Sequence, residues 1–229
     1  MTQAASGATR VGLIIPSSNR MVEQEMVRWY PVGVQAHVAR LRMTGAHRRP
    51  LVDLLPRVRE AAGTLDDASC AVVAFHCTAN STDEGLAGEQ RILDALREAT
   101  RAEVTTTATA IRHALDAHSA RRIVLITPYT AEATAHETEY LQAAGYEVVA
   151  QVAKDLGGSD GYCTATPEFW FETALAAKRA DADVYFLSCA NIACIGIVDR
   201  LEAALQRPVI TSNLAVIRET VRLARVTAP

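Results

Sequence analysis

The chain repeats a set of residues at a constant spacing of 112 positions, and this repeat limits the folds that it can adopt. Three pairs of residues share the spacing: Pro16 and Pro128, Gly33 and Gly145, and Cys77 and Cys189. Each cysteine ends an apolar run, and a second apolar run precedes each cysteine by the same distance. The repeat predicts two similar lobes, each contributing one thiol to a site between them.

Strand-like and helix-like segments alternate along both halves. Runs typical of strands occupy residues 11–15, 34–41, 70–75, 103–106, 123–126, 147–152, 184–187 and 209–211. Segments typical of helices occupy residues 21–29, 51–65, 88–99, 109–118, 131–144, 167–179, 197–205 and 214–225. This alternation is typical of parallel sheets that helices cover on both faces. The sequence therefore predicts an α/β fold of two pseudo-symmetric lobes, residues 1–117 and 118–229. Each lobe holds a four-stranded parallel sheet, and the active site lies in the cleft between them.

Composition excludes several classes of partner. The net charge is −3 and the pI is near 6.1, so charge does not favour binding to nucleic acid or to an anionic membrane. The short basic run at residues 47–49 is predicted to be a solvated loop. No segment approaches the roughly 18 consecutive apolar residues of a membrane helix, and residues 1–10 lack the features of a signal peptide. We therefore expect a cytoplasmic protein with reduced thiols.

Short polar stretches follow four of the predicted strands. In open α/β sheets, ligands bind beyond the carboxyl ends of the strands. The candidate substrate-binding residues in these stretches are Ser17, Ser18, Asn19, Thr78, Tyr129, Thr130, Ala190 and Asn191. Residues 211–213 fall on the same rim. Neutral side chains of this kind, together with backbone N–H groups at helix starts, suit a small carboxylate without an arginine clamp.

Cys77 and Cys189 are the predicted catalytic residues. A helix N-terminus lowers the pKa of a thiol, and each cysteine stands where a strand leads towards a helix. Two opposed thiols support two kinds of reaction. In a racemisation, one thiolate removes a proton next to a carboxylate and the other thiol returns one to the opposite face. In an addition, one thiolate attacks an activated double bond while the other thiol handles the proton. Neither reaction requires a metal, a nucleotide or a flavin, so no cofactor is predicted.

The other cysteines and the adjacent histidine receive different interpretations. Cys70 lies within an apolar strand and Cys194 lies near the start of a helix, so both are predicted to be structural. Cys163 lies in a glycine-rich loop, residues 157–166, that could cover the site. A zinc site that combines the cysteines with His76 is disfavoured because the spacing contains no paired Cys-x₂-Cys pattern. His76 is predicted to be packed rather than to act as a base, since neighbours on a strand point to opposite faces.

The opening segment and three later tripeptides resemble the maleate cis-trans isomerases. Residues 11–26 read VGLIIPSSNRMVEQEM, and the tripeptides are TPY at 127–129, LSC at 187–189 and TSN at 211–213. The resemblance extends over nearly the whole chain. It identifies the chain as a member of the aspartate/glutamate racemase superfamily, which includes arylmalonate decarboxylases and hydantoin racemases.

This resemblance implies roles for individual residues. In the isomerases, the first cysteine adds to the double bond of maleate, and the succinyl-cysteine intermediate rotates before it eliminates fumarate. By resemblance, Cys77 is the nucleophile, Cys189 is the acid/base, and Asn19 and Tyr129 bind substrate. Arylmalonate decarboxylases carry glycine at the first cysteine position, so the presence of both thiols disfavours decarboxylation. The family also implies a homo-oligomer, a dimer or larger.

Two departures from the isomerase pattern leave the substrate open. The stretch that follows His76, CTANSTDEG, is more polar than its counterpart in the isomerases. The loop at residues 155–165, DLGGSDGYCTA, has no asparagine to match their substrate-binding one. The sequence therefore predicts a cis-trans isomerase of maleate or a closely related small dicarboxylate. The second candidate is a two-thiol racemase of an amino-acid-like carboxylate, including a role in ectoine breakdown. A malonate-type decarboxylase and a carboxylate-binding protein without catalysis are the remaining alternatives.

Overall fold

The computed structural model describes residues 8–225 and contains two four-stranded parallel sheets. The strands of the first sheet are β1 (Thr9–Pro16), β2 (Val34–Leu41), β3 (Val72–Phe75) and β4 (Glu103–Thr106). Those of the second sheet are β5 (Arg122–Thr127), β6 (Glu147–Ala153), β7 (Val184–Leu187) and β8 (Val209–Thr211). The strand orders are β2-β1-β3-β4 and β6-β5-β7-β8. The two sheets have the same topology, which confirms the predicted α/β class.

The α-helices connect the strands and cover the sheets. They are α1 (Val22–Trp29), α2 (Leu51–Asp67), α3 (Thr78–Thr82), α4 (Gly85–Ala99), α5 (Thr107–Ala117), α6 (Ala131–Ala143), α7 (Ser159–Thr164), α8 (Pro167–Ala176), α9 (Val198–Leu205) and α10 (Ser212–Leu223). Helices α3 and α7 were not predicted, since five or six residues are too few to display a helical period. None of the helices within residues 8–225 is long and apolar enough to cross a membrane. The signal-peptide prediction rests largely on residues 1–7, which lie outside the described range.

The register of the inner strands confirms the repeat. Val11 lies opposite Val72 in the first sheet, and Ile123 lies opposite Val184 in the second. Both members of the second pair are 112 positions beyond those of the first. Strands β3 and β7 are buried at every position, as expected for strands that are covered on both faces. Cys77 and Cys189, the predicted catalytic residues, therefore each stand two residues beyond a strand, at the carboxyl edge of its sheet.

The last strand of each lobe departs from the sequence match. The match between residues 104–112 and 210–218 predicted an offset of 106. In the structure, Thr106 and Thr211 end β4 and β8, and each caps the following helix by accepting a hydrogen bond from a backbone N–H. These two caps are 105 positions apart, so the sequence match was wrong by one residue. The sequence match aligned the apolar residues inside the two helices. The capping hydrogen bond, however, decides at which residue each helix begins.

The two lobes share part of their core. Helices α5 and α10 pack against each other, and α10 also contacts β3 and β4 of the first sheet. One apolar cluster accordingly combines Leu13 and Val72 of the first sheet with Leu125 and Phe186 of the second. Between α5 and β5 only residues 118–121 connect the halves. The division into domains at residue 117 stays a prediction.

A buried network of polar groups also joins the lobes. Glu89 on α4 is 3% exposed and accepts hydrogen bonds from Thr106 at 2.7 Å, Thr109 at 2.5 Å and Tyr140 at 2.6 Å. Its carboxylate also pairs with Arg112. A buried charge is tolerated only when it is paired and hydrogen-bonded, and this carboxylate meets both conditions. Because Tyr140 belongs to the second half of the chain, the network holds α6 against α4 and α5.

We expect Glu89→Gln to lower the free energy of unfolding by about 2–4 kcal/mol, because it leaves Arg112 without its counter-charge. Urea denaturation followed by circular dichroism measures the change. The matched control is Glu98→Gln on the same helix, which removes an exposed carboxylate that pairs with Arg59. Exposed pairs contribute less than about 1 kcal/mol. Equal destabilisation by the two substitutions would contradict the network's structural role.

Candidate active site

A cavity of about 310 Å³ opens at the carboxyl edges of both sheets. Cys77 and Cys189 both line it. Seven of the predicted binding residues line the same cavity: Ser18, Asn19, Thr78, Tyr129, Thr130, Ala190 and Asn191. The volume lies at the lower end of the range for small-molecule sites. The cavity therefore has the size expected for a small carboxylate.

Ser17 is the predicted binding residue that the structure does not bring to the cavity. Its side chain is exposed, and it lies in a shallow depression beside Arg20 and Arg40. Its backbone N–H donates to the carbonyl of Leu41, which continues the strand pairing by one residue. Successive residues of an extended chain point to opposite sides, so Ser18 faces the cavity and Ser17 faces away.

Cys77 is held at the first turn of α3. It is 5% exposed, and its Sγ donates to Oδ1 of Asn80 at 3.1 Å. Burial raises the pKa of the Cys77 thiol to about 12, although the backbone N–H of Asn80 acts in the opposite direction. The sequence predicted a lowered pKa at a helix start. That prediction is wrong because α3 spans only five residues, and desolvation outweighs the effect of so short a helix.

Cys189 stands in a strained turn after β7. Its φ of +145° lies in a region that favours glycine. The Sγ atom accepts a hydrogen bond from the backbone N–H of Asn191 at 3.3 Å, and the hydroxyl of Tyr129, on the same cavity wall, also lowers the pKa of this thiol. Burial raises the pKa of Cys189 to about 11, and these two donors lower it. The chain does not enter a helix here, because the next helical turn begins only at Ile195. The prediction that a helix start activates this thiol is therefore also wrong.

One serine hydroxyl holds the two cysteine turns together. Oγ of Ser212 accepts a hydrogen bond from Oγ1 of Thr78 at 2.9 Å and another from the backbone N–H of Cys189 at 3.1 Å. Residues 211–213 were predicted to lie on the rim as part of the site. Ser212 does not line the cavity but supports it from behind, so its role is to fix the position of the two thiols relative to each other.

His76 provides a second link behind the cavity. The ring is fully buried, with Nδ1 3.0 Å from Oγ1 of Thr107 and Nε2 3.0 Å from Oδ1 of Asn213. Burial lowers the pKa of His76 to about 4, so the imidazole is neutral near pH 7. This agrees with the prediction that His76 is a packed residue rather than a base.

The side chains of Asn19 and Asn191 line the cavity but are already engaged. Oδ1 of Asn19 caps the start of α1, and Nδ2 donates to the carbonyl of Ala190 at 2.9 Å. Oδ1 of Asn191 accepts from the backbone N–H of Arg20 at 2.8 Å, and Nδ2 donates to the carbonyl of Ser159 at 3.3 Å. Both amides therefore join the loop after β1 to the loop after β7. An amide nitrogen has two hydrogens, so each retains one for a ligand.

The glycine-rich segment after β6 covers part of the cavity. Oγ of Ser159 donates to Oγ of Ser18 at 2.9 Å. The ring of Tyr162 meets that of Tyr129 edge to face, with centroids 5.7 Å apart. Cys163, whose role the sequence left open, does not line the cavity, and its Sγ lies 3.5 Å from a carbonyl of its own helix α7. The segment contributes its serine and its tyrosine rather than its thiol.

Several charged residues of the cavity were not predicted. Arg48, from the run that was predicted to be a solvated loop, lines the cavity and donates to Asp83 at 2.6 Å. Glu137 on α6 also lines the cavity and is 2% exposed. The sequence held a signal for this glutamate, because its position falls in the buried stripe of α6 with Thr134 and Tyr140.

Comparison with known proteins identifies relatives over almost the whole chain. A family model described as arylmalonate decarboxylase matches residues 11–228. An arylmalonate decarboxylase of Bordetella bronchiseptica is 27% identical over 226 residues, which cover 97% of this chain and 92% of that protein. A maleate isomerase of Pseudomonas putida is 26% identical over 219 residues, which cover 90% and 88%.

Solved structures of such proteins have the same fold. A mutant of arylmalonate decarboxylase in a sulfate-associated form superposes with a TM-score of 0.87 at 25% identity, covering 96% of this chain and 94% of that one. A mutant of the Nocardia farcinica maleate cis-trans isomerase with a covalently bound succinylcysteine intermediate superposes with a TM-score of 0.86 at 22% identity, with the same coverage.

Proposed function

The chain belongs to the arylmalonate decarboxylase family, and from that premise we propose that it is a cofactor-independent cis-trans isomerase of maleate or a closely related small dicarboxylate. The observation that carries the proposal is the pair of buried thiols, Cys77 and Cys189, on the wall of one small cavity. The curated relatives are enzymes, and a maleate isomerase is among them. A maleate cis-trans isomerase of Nocardia farcinica forms a succinylcysteine, which supports covalent addition here.

In the proposed reaction, the two sulfurs share one proton. Cys77 attacks one carbon of the double bond as a thiolate, and the electron pair of that bond takes the proton of Cys189 onto the neighbouring carbon. The remaining carbon–carbon bond is single and rotates. Cys189 then removes a proton from the same carbon, and the Cys77 sulfur leaves as the trans double bond forms. The enzyme ends in its starting state of protonation.

Tyr129 is the proposed stabiliser of Cys189 in its anionic form. Its hydroxyl lowers the pKa of Cys189, so a hydrogen bond from Tyr129 to the sulfur would stabilise the thiolate that remains after the proton is delivered. The carboxylates of the substrate would bind to the Ser18 hydroxyl and the free amide hydrogen of Asn19.

We expect Tyr129→Phe to reduce kcat by about tenfold to a hundredfold, because a hydrogen bond to a charged group contributes roughly 1.5–3 kcal/mol. Without the donor, the pKa of Cys189 rises further, and the increase of kcat with pH shifts to higher pH. Steady-state rates measured between pH 6 and 9 test both effects. Tyr146→Phe is the control, since Tyr146 bonds Asp116 away from the cavity. A similar loss in both variants would argue against a role at Cys189.

A two-thiol racemase of an amino-acid-like carboxylate is the second candidate. The observation that favours it is the charge of the cavity wall. Arg48 is the arginine among the lining residues, and it is already paired with Asp83. Glu132 lines the same cavity and would attract an ammonium group more readily than a second carboxylate.

The deciding experiment is proton NMR of purified protein with maleate and no added cofactor. Appearance of fumarate supports the isomerase. Exchange of an amino acid's α-hydrogen for solvent deuterium, without fumarate, supports the racemase. Release of carbon dioxide from an arylmalonate indicates a decarboxylase. Binding of maleate with none of these reactions indicates a carboxylate-binding protein.

We also propose that the chain forms a homo-oligomer in a reducing cytoplasm. The proposed reaction needs Cys77 and Cys189 as free thiols, which a reducing compartment maintains. Light scattering after size exclusion measures the oligomeric state.

A further inference from the structure

Glu137 is a buried carboxyl group on the wall of the cavity with half of its hydrogen-bonding capacity unused. Its Oε1 accepts a hydrogen bond from the hydroxyl of Ser188 at 2.6 Å. Its Oε2 is buried and has no hydrogen-bond partner among residues 8–225. Buried polar atoms almost always have a partner, and leaving one without costs about 1–3 kcal/mol. The unused oxygen therefore points to a partner that comes from outside the chain.

The surroundings of Glu137 favour its neutral form. Glu89, the other buried carboxylate of this region, has Arg112 beside it, whereas no lysine or arginine within residues 8–225 pairs with Glu137. Burial raises the pKa of Glu137 to about 7, and the hydrogen bond from Ser188 opposes this only in part. The carboxyl group is therefore protonated in much of the protein at neutral pH.

The charged and titratable groups around Glu137 lie on every element that surrounds the cavity. On α6 and its neighbours, they are Glu132 and His136 of α6, Tyr129 before it, Cys77 and Asp83 at the two ends of α3, Cys189 after β7, Arg48 on the rim, Glu89 of α4 and Lys154 after β6. The rim arginine already has a partner, because Arg48 pairs with Asp83, and Nδ1 of His136 lies 4.0 Å from the same carboxylate. Lys154 lies against the ring of Phe169.

We propose that Glu137 donates a hydrogen bond from Oε2 to a carboxylate oxygen of the substrate, so that the substrate and one proton bind together. Oε1 already accepts from Ser188, which leaves Oε2 to carry the proton. Hydrogen bonds between a neutral acid and a carboxylate are short and strong. The inference rests on the proposed function for the chemical class of the ligand. It adds how an anion binds in a cavity whose rim arginine, Arg48, is already paired with Asp83.

A neutral Glu137 also helps the thiols. The negative charge of an ionised Glu137 raises the pKa of Cys189 and that of Tyr129. Ser188, which donates a hydrogen bond to Glu137, immediately precedes Cys189 in the chain. The carboxyl group is therefore held next to the proposed acid/base thiol. A neutral Glu137 therefore favours both the binding of the substrate and the thiolate that Cys189 becomes after it delivers its proton.

The test is calorimetric titration of the wild-type protein with succinate, the saturated dicarboxylate, between pH 6 and 8. We expect a Kd that is nearly constant below pH 7 and rises by up to about tenfold per pH unit above it, because the free carboxyl group must then take up a proton. Titrations in phosphate and in Tris, which differ in ionisation heat, measure that uptake. It should approach about one proton per bound succinate at pH 8. Maleate titrated into Cys77→Ala provides a second probe that cannot undergo addition.

The variants separate this role from a structural one. Glu137→Gln keeps a hydrogen-bond donor at the same place. The variant should therefore bind succinate without proton uptake and with the same affinity at pH 6 and at pH 8. Glu137→Ala should bind weakly at every pH. Glu139→Gln removes an exposed carboxylate of the same helix and should keep the uptake unchanged.

Three outcomes would overturn the proposal: no binding of either probe, binding without proton uptake, or binding that strengthens as the pH rises through 7. The last would show that succinate does not require the protonated form of Glu137. Proton-linked binding without formation of fumarate would contradict the isomerase function and leave the role of Glu137 intact.

Discussion

Cys77→Ala is expected to lower kcat for maleate isomerisation by about 10⁴-fold or more, as removal of a catalytic nucleophile does in other enzymes. In the proposed mechanism Cys189 delivers the proton, so it does not replace Cys77 as the nucleophile. The variant should remain folded, since the substitution removes one atom from a residue that is 5% exposed. Fumarate production followed by its ultraviolet absorbance measures the loss.

The control for this variant is Cys163→Ala. Cys163 is the cysteine that is neither buried nor part of the cavity wall, so its removal should change kcat by less than about twofold. Mass spectrometry of intact protein with maleate provides a second readout. A covalent adduct of the mass of maleic acid should form on the wild type and be absent from Cys77→Ala. Substantial turnover by Cys77→Ala would exclude the addition mechanism.

Cys189→Ser is expected to retain substrate binding and to lose turnover by about 10³-fold, because a serine hydroxyl exchanges its proton far less readily than a thiol. The adduct on Cys77 should accumulate in this variant, since the step that removes the proton from carbon becomes slow. Quenched mixtures analysed by peptide mass mapping would locate it. A Cys189→Ser enzyme with nearly full activity would rule out the paired-thiol mechanism.

The backbone at Cys189 supplies a further check on the same residue. A φ of +145° is strained for any side chain, and such strain costs about 1–3 kcal/mol. Cys189→Gly should therefore be more stable to heat than Cys189→Ala, although both lack the thiol and both should be inactive. If the two variants unfold at the same temperature, the turn does not store strain.

Much of the fold was predictable because its signals are local and repeated. The ranges of β2, β4, β7 and β8 were predicted to the residue, because short runs with β-branched residues or alternating apolar residues are typical of strands. Helices α3 and α7 were missed because they are single turns whose positions depend on the strands and loops around them. The offset of the last strand was wrong by one residue because hydrogen bonds at Thr106 and Thr211, rather than apolar periodicity, begin the helices.

The candidate site was predicted in position but not in its electrostatics. Nine of the ten predicted site residues line one cavity, and Ser17 does not. The pKa values of both thiols are raised rather than lowered, because the lobes bury the sulfurs and burial disfavours an anion. Arg48 and Glu137 entered the site without having been expected there.

The 112-residue repeat was sufficient to determine two matching α/β lobes with one thiol at the carboxyl edge of each, because strand length and register are encoded locally in each half. It was not sufficient to determine what surrounds those thiols. The hydroxyl of Ser212 that bonds both cysteine turns, the donors on Cys189 and the unused oxygen of Glu137 depend on residues that are far apart in the chain. Solvation and pairing of charge are properties of the closed cavity, so only the packing of the two lobes decides them.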